Sequence, residues 1–296
     1  MTKTNKKIKA TVHNGVFHAD DVICVAMLRY FYGKDNVEVV RTRDKKTFEE
    51  CDFILDVGGK DLITEDQVWL DHHQPDSLIR ENGVKAAACG KLADVLWEGQ
   101  TWLPEFHKIF LDGVEAQDNG QDAAELGILP SSVSFVNAFV PNWDSNESMD
   151  KAFMEAVEII EVILEKEIQR CISKANAETL VKKAINESSE GVLILPQFMP
   201  WQTAVVQANE NRNEDDRLKL VVFKGSDGSW NLQVVPKSES SFESWILLPE
   251  EWAGKRNSEL AAATGIDDSI FCHIARFLAV FGTKESAMKA AALAVK

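Results

Sequence analysis

Four of the six histidines in this chain lie between residues 13 and 73, each in a short polar run close behind an apolar one. The runs are His13-Asn14-Gly15-Val16-Phe17-His18-Ala19-Asp20-Asp21, Asp56-Val57-Gly58-Gly59 and Asp71-His72-His73-Gln74, with Gln117-Asp118-Asn119-Gly120 as a fourth. Imidazoles mixed with carboxylates suit Mn²⁺, Fe²⁺ or Zn²⁺, whereas all-oxygen sets suit Mg²⁺ or Ca²⁺. His13, His18, Asp20, Asp56, Asp71, His72 and Asp118 make seven candidate ligands. One ion takes about four to six, so the number points to two ions sharing a bridging carboxylate. Two ions about 3.5–4 Å apart activate a water and clamp both oxygens of an in-line displacement at phosphorus. The expected chemistry is phosphoester hydrolysis.

Each run also has an ordinary reading. A single histidine is more often a loop or core residue, Asp20-Asp21 is a plausible pair of helix caps, and Asp56-Val57-Gly58-Gly59 is a strand-to-turn signal. Asp71-His72-His73 is harder to explain away, because three polar residues directly follow Val68-Trp69-Leu70. Burying them with no ligand is costly. The combination, rather than any one run, carries the metal reading.

These runs need elements to bring them together. Ile8 to His13, Val37 to Thr42, Asp52 to Val57 and Val68 to Asp71 read as short strands, and Val22 to Tyr32 as a helix capped by Asp20-Asp21. Continuous apolar strands interleaved with helices predict a mostly parallel α/β sheet. Such sheets bind ligands past the carboxyl ends of their strands, which is where these polar runs begin. Ala86 to Trp97 and Leu103 to Gln117 turn helical, and Met149 to Ile185 reads as one long helix or a pair. Strand-like segments follow at Gly191 to Leu195, Leu218 to Phe223 and Trp230 to Val235, the last two joined as a hairpin around Gly225-Ser226-Asp227-Gly228. Helical Ser258 to Thr264, an apolar run Ile270 to Phe281 and helical Glu285 to Val295 close the chain. The expected division is a metal-binding catalytic domain over 1–146, a helical linker over 147–188 and a smaller α+β substrate-binding domain over 189–296.

Composition sets limits. The apolar share is 45%, typical of a globular protein. The net charge of −15, from 47 acidic against 32 basic residues, disfavours holding long duplex nucleic acid by phosphate neutralisation. It fits a small substrate, or a short oligonucleotide met by metal ions. The five scattered cysteines contain no C-x-x-C pair, which argues against a zinc ribbon or disulfide scaffold. No run approaches the roughly 18 apolar residues of a membrane span. Met1 to Lys9 has no apolar segment behind its lysines, so the expected location is the cytoplasm.

Together the motifs resemble the DHH phosphoesterase superfamily, and within it the MYG exonuclease-like branch. The likeness runs from His13-x-Gly15-x-Phe17-His18-x-Asp20-Asp21 through Asp56-Val57-Gly58-Gly59, Asp71-His72-His73-Gln74 and Asp118-Asn119-Gly120. It continues through Pro200-Trp201, Gly228-Ser229-Trp230, Ser241-Phe242-Glu243, Leu248-Pro249 and Phe271-x-His273. The resemblance implies an N-terminal parallel sheet with a di-metal site, usually manganese, and a smaller C-terminal domain that supplies substrate contacts. It makes the seven residues above metal ligands or bridges, with Asp71 and Asp20 catalytic. His73 is set against the reacting phosphate. Lys85, Gly90, Gly228, Trp230 and His273 become substrate contacts, and the activity becomes 3′–5′ exonucleolysis of RNA or short oligonucleotides.

Taken from the residues alone, the C-terminal candidates stay open. Trp201 and Trp230 stack on bases or fill the core, Gly228-Ser229 lines a phosphate or turns a hairpin, and His273 is a ligand contact or a buried structural residue. The branch's Lys-x-Ser-Ser-x-Gly stretch reads Lys85-Ala86-Ala87-Ala88-Cys89-Gly90 here, without the two hydroxyls. Pro75-Asp76 stands where a basic residue is common. Those departures keep a pyrophosphatase or small-metabolite phosphatase as the rival enzyme, and a catalytically idle metal-binding homologue as the rival from another class. The expected partners are a short RNA or small phosphorylated substrate and a second copy of the chain, with no membrane.

Overall fold

A computed structural model describes residues 7–59, 61–74, 77–188 and 191–295. Pro75-Asp76 and residues 1–6 of the N-terminal segment discussed above lie outside the described residues. The chain divides into two compact units, Met1–Ile172 and Ser173–Lys296. The division falls inside one helix, so the long apolar stretch is a single element rather than a pair.

The first unit follows the expected alternation. Strand β1 (Ile8–Val12), helix α1 (Ala19–Tyr32), strand β2 (Val37–Arg41), short helix α2 (Lys45–Phe48) and strands β3 (Phe53–Leu55), β4 (Leu62–Ile63) and β5 (Val68–Leu70) come in that order. The sheet order is β2-β1-β3-β5-β4. All pairings are parallel except that of β4 with β5. The carboxyl ends of β1, β3 and β5 therefore lie side by side at the centre of the sheet. Helix α1 has no exposed face, since every residue from Val22 to Leu28 is fully buried. It stops at Gly33, whose φ of +97° is open to glycine at no steric cost.

Helices α3 (Ala88–Leu96), α4 (Leu103–Phe106) and α5 (Asp112–Asp118) follow, with a π-helical turn over His107–Leu111 between the last two. Leu103 to Gln117 is helical as the sequence suggests, with that π turn inside it. Helix α6 (Met149–Asn186) runs from the first unit into the second. Among the described residues no helix is long and apolar enough to cross a membrane.

The second unit contains β6 (Val192–Leu195), α7 (Gln202–Glu210), β7 (Leu220–Lys224), β8 (Trp230–Val234), α8 (Asn257–Thr264), β9 (Ser269–Cys272), β10 (Leu278–Phe281) and α9 (Lys284–Ala294). Its sheet order is β6-β7-β8-β10-β9, with β6 parallel to β7 and the rest antiparallel. The two-residue period of a strand sends Leu220 and Val222 into one apolar cluster and Val221 and Phe223 into another. Both faces of this sheet are covered. The expected α/β class, with a second mixed domain, is what the chain adopts. All five cysteines are buried thiols.

Candidate metal centre

Three strands of the first sheet, β1, β3 and β5, hand the chain to a histidine or aspartate. His13 follows β1, Asp56 follows β3 and Asp71 follows β5, while Asp20 and Asp21 open α1 and Asp118 closes α5. The parallel order of the three central strands makes their ends neighbours. Asp56 has a φ of +52°, a left-handed conformation that Asp tolerates better than most residues.

Two groups of ligand atoms result. His13, His18, Asp21 and Asp56 form one, and Asp56, His72 and His73 the other. Asp56 belongs to both, as a bridging carboxylate must. His13 Nε2 lies 2.8 Å from Asp21 Oδ2 and 3.5 Å from Asp56 Oδ2. His72 Nε2 lies 3.2 Å from Asp56 Oδ1 and 3.1 Å from Asp118 Oδ2. His18 Nδ1 stands 3.8 Å from Asp118 Oδ1, and the His13 and His18 rings are 5.5 Å apart.

The residues fit divalent ions on two counts. Asp20 Oδ2, Asp21 Oδ1, Asp56 Oδ1 and Asp118 Oδ2 are buried and accept no hydrogen bond, a costly state for carboxylates with nothing else to bind. The His72 nitrogen stands close to two of these oxygens, yet neither makes a hydrogen bond. Ligands bound at about 2.1 Å in near-octahedral geometry sit about 3 Å apart, which is the spacing found.

The electrostatics agree. Burial first, then the Asp56 and Asp118 charges, push the Asp20 carboxyl well above its ordinary range. Burial and the Asp56 charge likewise raise Asp21 against the pull of His13. Burial, with Asp56 adding to it and His72 opposing it, lifts Asp118 to about 6. Burial opposes protonation of His72, but the nearby Asp56 and Asp118 carboxylates outweigh it and raise the imidazole to about 10. His13 is raised in the same way, with burial overcome by Asp21 and Asp56. Two like charges about 4 Å apart repel by about 4 kcal/mol at an effective permittivity near 20. A bound cation removes that repulsion.

The outer contacts hold the ligands in place. Asn119 Oδ1 lies 3.2 Å from His72 Nδ1, and its amide donates to the carbonyls of Lys85 and Glu115 at 3.0 and 2.9 Å. That arrangement leaves Nε2 turned to the carboxylates. The buried Lys91 ammonium donates to the Asp71 carbonyl and to Asp61 Oδ2, both at 2.6 Å, while Asp61 Oδ1 accepts from the Asp71 N–H at 3.1 Å. The Cys89 N–H donates to Asp20 Oδ1 at 2.7 Å.

The placement differs from expectation at several residues. Asp21, read from sequence as a helix cap, does cap α1 by accepting the His18 N–H at 3.0 Å, and it also supplies the carboxylate against His13. Asp20 is turned to Cys89 instead. Asp71 lies outside both ligand groups. Its Oδ1 accepts from the Gly58 N–H at 3.2 Å and holds His73 Nδ1 at 2.8 Å, and its Oδ2 accepts the His73 N–H at 3.2 Å. Burial raises the Asp71 carboxyl, and the contacts from His73 and Gly58 outweigh it to lower the pKa. His73 and His18 are the open members, with 59% and 54% of their side chains exposed. Asp21, Lys91, Asp61 and Asn119 were not singled out as site residues. Only the adjacency of Asp21 to Asp20, and of Asn119 to Asp118, signalled any of them.

The expected substrate contacts scatter. Lys85 is exposed, whereas Gly90 is buried inside α3. A Cβ on Gly90 would stand 1.9 Å from Glu115 Oε1, so this glycine is a packing position. Ala86, Ala87 and Ala88 are fully buried as well. In the second unit, Gly228 (φ +89°) turns the β7–β8 hairpin and Trp230 opens β8. His273 lies in the β9–β10 turn, its ring 4.3 Å from Phe277 and its Nδ1 accepting the Ala275 N–H at 3.0 Å. Because Trp230 pairs with Phe281 and Gln233 with Leu278, Trp230 and His273 lie at opposite ends of the β8–β10 pair. Trp201 is buried in the core. Lys237 pairs with Glu243 at 3.1 Å, and Arg256 packs over Phe271.

Known proteins extend the picture along the whole chain. MYG1 protein C694.04c of Schizosaccharomyces pombe is 28% identical, over 97% of this chain and 97% of its own length. The MYG1 protein of Chlamydia trachomatis is 30% identical over 96% and 95%, and the MYG1 exonuclease of Homo sapiens 26% over 94% and 83%. Among solved structures, RecJ from Thermus thermophilus in complex with Mg²⁺ aligns at a TM-score of 0.29 and 13% identity, over 97% of this chain and half of that one. The family model MYG1_exonuc, described as an uncharacterised protein family (UPF0160), matches residues 9–92 and 99–295. A match of that extent, spanning every run that supplies a ligand, places the chain in the MYG1 exonuclease family.

Proposed function

We propose that this protein is a metal-dependent phosphoesterase, an exonuclease that removes nucleotides from the 3′ end of RNA or a short oligonucleotide with two divalent ions, Mn²⁺ for preference. The observation that carries the reading is Asp56, shared between two ligand groups and bearing a buried oxygen without a hydrogen bond. The exonuclease names of mammalian relatives support the nucleic-acid substrate. The mixture of imidazoles and carboxylates supports manganese over magnesium.

When bound, the ions lower the pKa of a coordinated water and neutralise charge at the phosphate. The residues of the chain do the rest. His13, His18, Asp21, Asp56, His72 and Asp118 hold the ions, and Asp20 adds negative charge behind them. His73, like His18, is exposed at the rim, and Asp71 fixes the His73 ring through Nδ1. In this reading His73 meets the phosphate or the leaving oxygen, while Asp71 is a positioning residue. Gly228, Trp230 and His273 remain the second unit's candidates for nucleotide contact, with Lys85 the exposed cation of the first.

The test uses RNA oligonucleotides labelled at the 5′ or the 3′ end, with metal-stripped protein reloaded with Mn²⁺ or Mg²⁺. Release of mononucleotides from the 3′ end in Mn²⁺, abolished in Asp56→Asn, is the expected outcome. A second reading, hydrolysis of pyrophosphate or a small phosphorylated metabolite, is favoured by the buried Ala86 to Ala88 and by the Lys91 ammonium being tied to Asp61 and the Asp71 carbonyl. Turnover of pyrophosphate orders of magnitude above that of RNA would select it. No turnover of either by metal-loaded protein would leave an idle homologue.

A further inference from the structure

The first unit contains another set of buried ligand atoms, from residues outside the centre described above. His107, Asp112 and Glu115 lie together, all buried, with one ligand atom of each within 4.8 Å of the others. We propose that they form a mononuclear site for a divalent transition ion such as Zn²⁺ or Mn²⁺, separate from the Asp56 centre.

The local backbone explains how they meet. In a regular α-helix, residues five apart point about 140° from each other. The π turn over His107–Leu111, closed by the Asp112 N–H donating to the His107 carbonyl, inserts one residue. It thereby brings His107 and Asp112 to neighbouring positions one turn apart, with Glu115 following at i+3 on α5. Such single-turn insertions recur at functional sites.

Each side chain has an outer partner, and His107 and Asp112 each have a buried atom left over. Asp94 Oδ1 lies 2.8 Å from His107 Nε2 and accepts its proton, which leaves Nδ1 as the lone-pair nitrogen; Nδ1 has no hydrogen-bond partner. Carboxylate, imidazole and metal in line is the usual support of a ligating histidine. Asn82 Nδ2 donates to Asp112 Oδ2 at 2.7 Å, and the buried Oδ1 has no partner. Arg80 holds both oxygens of Glu115 at 2.7 and 3.0 Å, and Glu115 Oε2 lies 3.9 Å from His107 Nδ1. Tetrahedral ligands at about 2.1 Å stand about 3.4 Å apart, so small side-chain rotations close the set.

A divalent ion would offset the excess of carboxylates here. Three carboxylates, of Asp94, Asp112 and Glu115, are set against the single guanidinium of Arg80. A cleft of about 1020 Å³, lined by Arg80, Asp94, His107 and Asp112 among apolar side chains such as Leu103 and Leu129, leads to the site. It leaves a coordination position open to solvent or ligand.

The experiment is metal analysis of the intact chain after equilibration with Zn²⁺ or Mn²⁺ and removal of free ion, alongside anomalous diffraction from wild-type crystals at the metal edge. Three ions per chain are expected in the wild type, with an anomalous peak beside His107 Nδ1. Asp112→Asn is expected to lose one ion and keep two, and Asp56→Asn to keep the ion at His107. Wild-type crystals with no peak at His107, or an Asp112→Asn variant with undiminished metal content, would overturn the proposal. The peak decides the matter if Asp112→Asn fails to fold. A peak at His107 with none at Asp56 would instead sink the two-ion phosphoesterase reading and leave this site standing.

Discussion

The buried polar groups of the two units behave in opposite ways. In the second unit the buried polar residues Asn209, Thr264 and Ser269 are satisfied: Asn209 donates to the Leu218 carbonyl and accepts the Leu218 N–H, both at 2.9 Å, and Thr264 and Ser269 bond each other at 2.9 Å. At the end of the first unit's sheet, four carboxylates each keep a buried oxygen without a hydrogen bond. A buried polar group with its partners in place is architecture. A cluster of like charges without them is held there by the fold against its own repulsion, and that is the mark of a ligand site.

The largest test of this contrast is Asp56→Asn. Loss of the bridge is expected to lower turnover by ~10³-fold, since a metal supplies several kcal/mol of charge stabilisation. The same change removes a like charge, and Asn tolerates the left-handed backbone, so thermal unfolding of the metal-free protein is expected to move upward. An unfolding temperature that drops in chelator would break the comparison.

Gly90→Ala comes next. The Cβ collides with Glu115, and overpacking of this kind costs ~3 kcal/mol. Denaturant titration reads it, and a neutral result would return Gly90 to the list of substrate contacts. In the second unit, Asn209→Ala leaves the Leu218 N–H and carbonyl unpaired and is expected to cost ~2 kcal/mol, with metal content unchanged by elemental analysis.

The pH dependence of the metal-free protein separates the units further. Asp20, Asp21, Asp118, His13 and His72 all have pKa values raised by folding. A group raised on folding stabilises below its unfolded pKa and loses that contribution as pH climbs through its folded value. For Asp118 the loss runs from 3.8 to about 6, and for His72 from 6.5 to about 10. Melting temperatures in chelator are therefore expected to fall from about pH 5 to about pH 9, and saturating Mn²⁺ to flatten the fall. A rising curve in chelator would contradict the clustering of these groups. The smallest effect is His273→Ala, a half-buried turn position expected to change stability by less than ~1 kcal/mol. Kinetics with oligonucleotides would show whether it raises KM, which only a substrate contact does.

Much of this was legible before any coordinates. The strand and helix alternation of the first unit, the long α6 stretch and the β7–β8 hairpin follow from periodicity and turn residues. The elements that escaped notice were those without such a signal. β4 is two residues long, α7 carries few apolar positions to mark it, and the π turn interrupts a run whose composition is helical throughout. At the site, the residue types were readable but their division of labour was not. Nothing in Asp20-Asp21 says which carboxylate faces His13, because adjacent helical residues point about 100° apart and the choice depends on where the helix begins. Nothing in Asp71-His72-His73 says that Asp71 supports His73 rather than joining a ligand group.

By itself, the sequence determined that histidines and carboxylates follow the strands of a parallel sheet, and hence that candidate metal ligands gather where those strands end. Local pattern suffices for that, because strand direction and the position of a turn are set by neighbouring residues. The tertiary structure alone decided that Asp56 is shared by two ligand groups, that Asp21 rather than Asp20 faces His13, and that Gly90 packs against Glu115. It also gathered His107, Asp112 and Glu115 through a turn with no sequence signature. Those outcomes rest on strand order, helix phase and close packing, and each couples residues too far apart in the chain for any local pattern to register.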